Sequence, residues 1–245
     1  MPERRGRCRI GCSGWQYDHW KGVFYPGDLP KGKWFSYYAE RFEAVEVNNT
    51  FYHLPDEGAF AKWRDAAPRG FRYALKYSRY GSHLKHLKDP ADHAGVFLAR
   101  AVGLKSHLGA ILVQLPPRWK ADPGRLEAFL AAMGGGHRIA VEFRDASWFC
   151  REVYEVLGKH GAALCLHDMI EDHPREVTAD WLYLRYHGKD YTQPYSPEQL
   201  AAMAEEIGGF LEAGRDVFAF FNNDAEGHAA RNAAELRERV ERGLG

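Results

Sequence analysis

The run Ile139-Ala140-Val141-Glu142-Phe143-Arg144 sets two opposite charges two residues apart among apolar and β-branched neighbours. In a strand, residues i and i+2 share a face, so Glu142 and Arg144 point the same way. A charge on a buried face is costly unless it is paired or put to use, which leaves a structural ion pair or an active-site floor. Polar groups intrude in the same way in Val45-Glu46-Val47-Asn48, Leu75-Lys76-Tyr77, Val113-Gln114-Leu115 and Leu184-Arg185-Tyr186-His187. One accidental polar residue in a core does not account for that recurrence.

A carboxylate among guanidinium and imidazole groups is equipped for proton transfer on an anionic substrate. Glu142 is the candidate general acid or base, His187 a second proton-transfer group, and Glu46 a further carboxylate. Lys76, Arg144 and Arg185 together would offer a cationic floor to a phosphate or carboxylate. Asn49, Gln114 and Asn222 are candidates to orient its polar groups. The structural alternative is an ion network in which Glu46 pairs with Lys76, and Glu142 with Arg185 or Arg144.

The aromatics Trp15, Tyr17, Trp20, Phe51, Tyr52, Trp148 and Phe149 follow apolar runs, where they could stack on a sugar or base or simply pack loops onto a rim. Trp15, directly after a strand and Gly14, is the first ligand candidate, with Tyr52 and Trp148 beside it. His167 and Asp168 could join Glu142 around a divalent metal, although no H-x-H or H-E-x-x-H spacing supports that reading. His53, His83, His86, His93 and His107 fall in loops or helices and read as surface residues. No G-x-S-x-G elbow occurs, and Gly134-Gly135-Gly136 lacks the Lys-Ser/Thr of a phosphate loop, so it reads as a turn.

The elements that must position these groups are eight apolar or aromatic runs, residues 9–13, 44–48, 72–77, 110–115, 138–143, 163–167, 181–187 and 217–222. Helix signals separate most of them. Asp89-Pro90, Asp122-Pro123 and Ser196-Pro197 each give a cap followed by Pro at the first helical position. Ser147 is placed to cap a helix carrying Val153, Val156 and Leu157 that stops at Gly161. Alternating strands and helices imply parallel pairing through right-handed crossovers. Eight such units in about 250 residues make a (β/α)8 barrel, and the 245 residues here predict one domain over 1–245. The stretch 169–180 is short and holds Pro174, which predicts a degenerate sixth helix, less than a full one. Residues 14–33, rich in Gly, Pro and aromatics, predict a long first βα loop. A barrel also gives the charges a direction, because polar alternates point inward and those at strand C-terminal ends line the mouth.

Composition narrows the partners. Lys+Arg and Asp+Glu both total 33, so no global field favours a polyanion, and nucleic-acid affinity would require a local cluster. Cys8, Cys12, Cys150 and Cys165 show no C-x-x-C spacing and read as reduced thiols. The N-terminus is basic through Arg4, Arg5, Arg7 and Arg9, but no apolar stretch of signal-peptide or membrane-spanning length follows. These features predict a cytoplasmic protein without a membrane partner; nothing in the pattern sets an oligomeric state.

Several blocks together resemble a known family. Gly11-Cys12-Ser13-Gly14-Trp15, Trp20-Lys21-Gly22, Phe24-Tyr25-Pro26 and Glu46-Val47-Asn48-Asn49-Thr50-Phe51-Tyr52 are similar to the N-terminal signature of the YecE-like family, domain of unknown function 72. Gln114-Leu115-Pro116-Pro117, Val141-Glu142-Phe143-Arg144 with Ser147-Trp148, Leu184 to Gly188, and Phe221-Asn222-Asn223-Asp224 resemble its later blocks, in order. Tyr186 departs from the pattern, standing where a second aliphatic is expected between Arg and His. The resemblance implies a TIM-type barrel and no particular reaction.

Glycosidases of this fold carry carboxylates at the ends of strands four and seven, where this chain has Gln114 and His187. That counts against retaining glycoside hydrolysis, which needs two carboxyls roughly 5 Å apart. The residues instead suggest an enzyme of the hydrolase or lyase class acting on a small anionic sugar-like or nucleotide-like ligand at the barrel mouth. Its rivals are a metal-dependent nucleic-acid-processing barrel resembling repair endonucleases, and a non-catalytic metabolite-binding protein.

Overall fold

Each of the eight runs forms a strand in the computed structural model, which describes residues 4–243. They are β1 (Cys8–Cys12), β2 (Ala44–Val47), β3 (Arg72–Lys76), β4 (Leu108–Gln114), β5 (Ile139–Glu142), β6 (Ala163–His167), β7 (Trp181–Tyr186) and β8 (Asp216–Phe221). They pair in sequence order and close into a parallel barrel. The helices are α1 (Trp34–Ala39), α2 (Asn49–Tyr52), α3 (Glu57–Ala66), α4 (Pro90–Ala101), α5 (Pro123–Met133), α6 (Arg151–Lys159), α7 (Pro197–Glu212) and α8 (His228–Gly243). Strands covered on both faces must be nearly continuously apolar, which is why these short runs were legible.

No helix lies between β6 and β7 among the described residues. The returning chain is pinned instead by the Thr178 hydroxyl, which accepts from Leu164 N at 2.8 Å and donates to the Ala162 carbonyl at 2.8 Å. The loop after β1 is long, as expected, and contains two 3-10 turns, Asp18–Trp20 and Lys31–Lys33.

The caps divide between expectation and correction. Ser196 and Gln199 form a reciprocal capping box on α7, and the Asp122 side chain accepts from Arg125 N at 3.0 Å. Asp89 precedes α4 but makes no side-chain cap, because its backbone is left-handed (φ 49°, ψ 53°) and a capping side chain needs an extended backbone to reach the first-turn N–H groups. Ser147 does not cap α6. It sits inside a 3-10 turn, Ala146–Trp148, capped by Asp145, and its hydroxyl accepts from Ala121 N at 2.9 Å.

The described residues divide into two compact units. The first holds the chain up to Glu46, Pro68–Phe71 and everything from Tyr183 onward. Here β1 pairs with β2 and β8 in parallel, Gly11 facing Ala44 on one side and Phe220 on the other. A Cβ on Gly11 would lie 2.1 Å from the Ala44 carbonyl oxygen and 2.8 Å from Tyr38 Oη. That hydroxyl accepts from Cys12 N at 2.8 Å and donates to the Ala44 carbonyl at 2.9 Å, so a side chain at position 11 would break the joint.

The second unit holds 47–67 and 72–182, with β3 to β6 as its sheet. Its core corrects one expectation: His93 is buried rather than on the surface. It lies on the inner face of α4, bonded through Nδ1 to the Tyr77 hydroxyl and through Nε2 to the Lys88 carbonyl. A buried imidazole with both nitrogens satisfied is as much at home in a core as an apolar ring. Among the described residues the four cysteines form no disulfide. Among the described residues no helix is long and apolar enough to cross a membrane.

Candidate functional site

The strand ends place the predicted residues in two groups, one in each unit. In the first unit Glu46 ends the β2 segment and is fully buried. Arg185, on β7 and 1 % exposed, donates from Nη2 to Oε1 at 2.8 Å and from Nε to Oε2 at 3.0 Å. Tyr183 Oη donates to the same Oε2 at 2.7 Å. The guanidinium fork thus meets the carboxylate in the bidentate geometry that is strongest for this pair. One pairing was not foreseen: Arg185, with Tyr183, holds the Glu46 carboxylate. Tyr183 went unnoticed in the sequence, although alternation puts it on the same face as Arg185.

Beside that cluster, Trp15 is buried against Phe35, with ring centroids 5.5 Å apart, and its carbonyl accepts from Tyr25 Oη. Tyr25 in turn stacks on Trp34 at 4.7 Å, and Trp20 Nε1 donates to the Asp224 carbonyl at 2.9 Å. These rings hold the long first loop in place, so Trp15 offers a ligand little surface. His187 follows β7, fully buried and edge-on to Tyr191 at 5.3 Å. Asn222 follows β8, half-buried, with its backbone N donating to the Tyr186 carbonyl at 2.7 Å.

The second unit gathers the larger group. Gln114 and Glu142 are register partners at the ends of β4 and β5. Glu142 is fully buried; its Oε1 accepts from Arg144 Nε, and Cys165 Sγ lies 3.8 Å from its Oε2. Of the two partners foreseen for Glu142, Arg144 is therefore engaged, with its side chain 12 % exposed. At the end of β3 the Lys76 ammonium lies 4.4 Å from the Phe51 ring centroid, and Thr50 Oγ1 is 2.7 Å from the Lys76 carbonyl oxygen, tying α2 to that strand end. Asn49 and Tyr52 are exposed, Tyr52 packing edge-on to Phe51.

His83 also lies edge-on to Phe51, at 5.0 Å, in a short π-helical turn over Tyr80–Leu84. Burial pushes its pKa down to about 4, with Lys76, Arg79, His86 and Arg144 adding to the shift by repelling its charged form. It is half-buried, not the freely solvated histidine expected.

His167 ends β6 and is 3 % exposed. Nε2 bonds the Phe143 carbonyl at 2.8 Å, and Nδ1 accepts from Met169 N at 3.2 Å. An acceptor role for Nδ1 makes Nε2 the protonated nitrogen, so the ring is neutral and both nitrogens are occupied. Burial is the main cause of its pKa falling to about 4. A metal at His167 would have to displace one of these bonds. Among the described residues no group of three His, Cys, Asp or Glu side chains is arranged to hold a metal ion. Asp168, next in the chain, is exposed.

Trp148 corrects another expectation. It is fully buried, stacked on Phe143 at 4.9 Å, with Nε1 donating to the Trp119 carbonyl at 2.6 Å. Such a ring anchors the loop after β5 and has no face left for a ligand. A second residue that the sequence did not single out is His173, in the helix-less segment after β6. Its Nδ1 bonds the Pro174 carbonyl at 2.8 Å and must carry the proton, which leaves Nε2 as a buried acceptor without a hydrogen-bond partner among the described residues. Burial lowers its pKa. Its ring lies 4.4 Å from that of His167. The available signal was its position just past the C-terminal end of a strand in a barrel, where chemistry concentrates.

The chain as a whole is similar to known proteins. The family described as "Protein of unknown function DUF72" matches residues 9–244. The UPF0759 protein YunF of Bacillus subtilis is 24 % identical over 266 residues, covering 94 % of this chain and 93 % of that protein. A DUF72 family protein from Thermotoga maritima superposes with a TM-score of 0.87 at 28 % identity, over 96 % of this chain and 99 % of the other. A DUF72 family protein from Enterococcus faecalis gives 0.81 at 20 % identity, over 96 % and 95 % of the two chains, a likeness of fold.

Proposed function

The chain belongs to the DUF72 family, and from that premise we propose an enzyme of the hydrolase or lyase class that binds a small anionic sugar-like or nucleotide-like molecule at the C-terminal ends of β3 to β6. The observation that carries this reading is that Lys76 and His83 pack on the same ring, Phe51, at 4.4 and 5.0 Å, in a setting where burial first, and then Lys76, Arg79 and Arg144, oppose protonation of His83. An anion entering that field would be drawn to Lys76 and Arg144, the two cations of the predicted floor that lie in this unit. This reading does not use Arg185, which pairs with Glu46.

Glu142 is the proton-transfer group of this reading, held in orientation by Arg144. The bare Nε2 of His173 is a second base. With its pKa lowered it stays neutral near pH 7, and it is short of the one donor that a substrate hydroxyl or amine would supply. Asn49 and Gln114 are placed to orient the ligand, and exposed Tyr52 to cover it.

The test is a panel of phosphorylated and carboxylated sugars and nucleotides, assayed for binding and turnover with the parent protein, Glu142→Gln and Lys76→Ala. Loss of a proton-transfer group should lower kcat by about 100-fold or more in Glu142→Gln with binding retained, while Lys76→Ala should weaken binding. Parental turnover by Glu142→Gln would remove its catalytic role. Tight binding without conversion of any panel member would favour the non-catalytic reading, and no binding at all would overturn the anion site.

A further inference from the structure

The basic N-terminal segment is not a loose arm. As the chain approaches β1, Gly6 N donates to the Leu211 carbonyl at 2.8 Å, Arg7 N to Asp216 Oδ1 at 2.9 Å, and Val217 N to the Arg7 carbonyl at 2.9 Å. A Cβ on Gly6 would lie 1.9 Å from the Arg215 carbonyl oxygen, so the backbone there is pressed against the start of β8. The arginines on either side of this pinned backbone, Arg4 and Arg5 before it and Arg7 and Arg9 at and after it, stand at the N-terminal ends of the strands, away from Ser13 and Asn222 at the other ends.

They line a cavity of about 580 Å3. Arg4, Arg5, Arg7, Arg9 and Arg237 face it, against the carboxylates of Glu43 and Glu241. In a chain whose charges balance at 33 and 33, that is a marked local excess of cations. Arg9 forms an inner wall, 6 % exposed, with its guanidinium 5.5 Å from the Phe218 ring centroid. Nearer the surface, Arg4, its own side chain 73 % exposed, meets the buried Asp216 at 3.1 Å, Arg5 meets Glu212 at 3.8 Å, and Arg237 meets Glu241 at 3.6 Å and donates to the Arg41 carbonyl. The surface pairs Arg5–Glu212 and Arg237–Glu241 contribute little and yield to a stronger anion. Arg7 is exposed and its side chain makes no ion pair among the described residues.

We infer that this cavity binds a compact polyphosphate, either an inorganic one or the phosphate tail of a nucleotide, at a site sharing no residue with the anion site proposed above. Guanidinium forks bind phosphate oxygens in pairs, and several arginines lining one cavity suit a ligand that carries more than one phosphate. The concave shape and the flanking Glu43 and Glu241 favour a small ligand over a nucleic-acid backbone, which needs an open basic track.

Calorimetric titration of the full chain with inorganic tripolyphosphate and with ATP tests this, using Arg5→Ala and Arg7→Ala because both side chains are at the surface and can be removed without opening the core. Each substitution should weaken this binding event about tenfold and the pair about a hundredfold; Lys76→Ala should leave the event that depends on Arg5 and Arg7 unchanged and alter only a second, separate one at the β3 end. Equal affinities for the two ligands assign recognition to the phosphates, and tighter ATP binding assigns it to a nucleotide; either supports the site. Absence of binding at millimolar ligand and low salt, binding indifferent to Arg5 and Arg7, loss of that same event in Lys76→Ala, or displacement by a duplex oligonucleotide at far lower concentration would overturn it.

Discussion

Replacing Arg185 by Met tests whether this arginine holds the fold or the ligand. Glu46 is fully buried and Arg185 is 1 % exposed; the guanidinium donates to both carboxylate oxygens, and the Tyr183 hydroxyl donates to one of them as well. Removing one partner of a buried pair strands the other charge, at a cost of about 3–5 kcal/mol. Replacing the whole cluster should cost far less, because the desolvation of both charges disappears along with their attraction. The cluster includes Tyr183, whose hydroxyl would lose its acceptor if only the ion pair were replaced, an orphaned donor worth about 1–3 kcal/mol. The informative comparison is therefore Arg185→Met against the triple variant Glu46→Leu, Tyr183→Phe, Arg185→Met. Urea unfolding followed by tryptophan fluorescence, with a slope of about 2–3 kcal/mol/M, should show the single variant shifted down by about 1–2 M. The triple variant should recover most of that loss. A single variant within about 1 kcal/mol of the parent, or a triple variant no more stable than the single, would refute the reasoning and return Arg185 to the ligand-binding floor.

His167 is neutral when folded, with a pKa of about 4 against about 6.5 when solvated. Between those values the unfolded chain binds a proton that the folded chain does not, so stability falls as pH drops from about 6.5 to about 4, by roughly 3 kcal/mol in all. Gln at position 167 should flatten that part of the stability–pH curve, and an unchanged slope would mean that another group sets it. Trp148→Ala removes a fully buried ring stacked on Phe143 and should cost about 3–5 kcal/mol, read as a fall in Tm of roughly 10 °C; a variant that melts with the parent would show that the ring is not an anchor.

Much of the fold was written locally. Strand positions follow from short apolar runs flanked by turn and cap residues, and the alternation of strand and helix signals implies parallel pairing whatever the side chains touch. The helix-less sixth connection follows from its length and Pro174, which cannot sit in a helix interior. Ser196 and Asp122 cap as their types and spacing require, whereas Asp89 does not, because cap geometry also depends on the direction from which the chain arrives. Alternation likewise placed Glu46, Glu142, Arg144 and Arg185 on polar faces. It could not choose their partners, since parity names a face and not a neighbour. The Glu46–Arg185 pair joins residues 139 apart in the chain, and only the folded arrangement made that contact; Arg144 meets Glu142. Tertiary structure also decided which aromatics and histidines are free to act. Trp148 and His93 turn inward because a partner fills each of their polar atoms, while His173, unremarkable as a letter in a loop, keeps one nitrogen unmatched. Local sequence determined where the charges stand, and packing, which alone sets distance and desolvation, determined which of them remain available for chemistry.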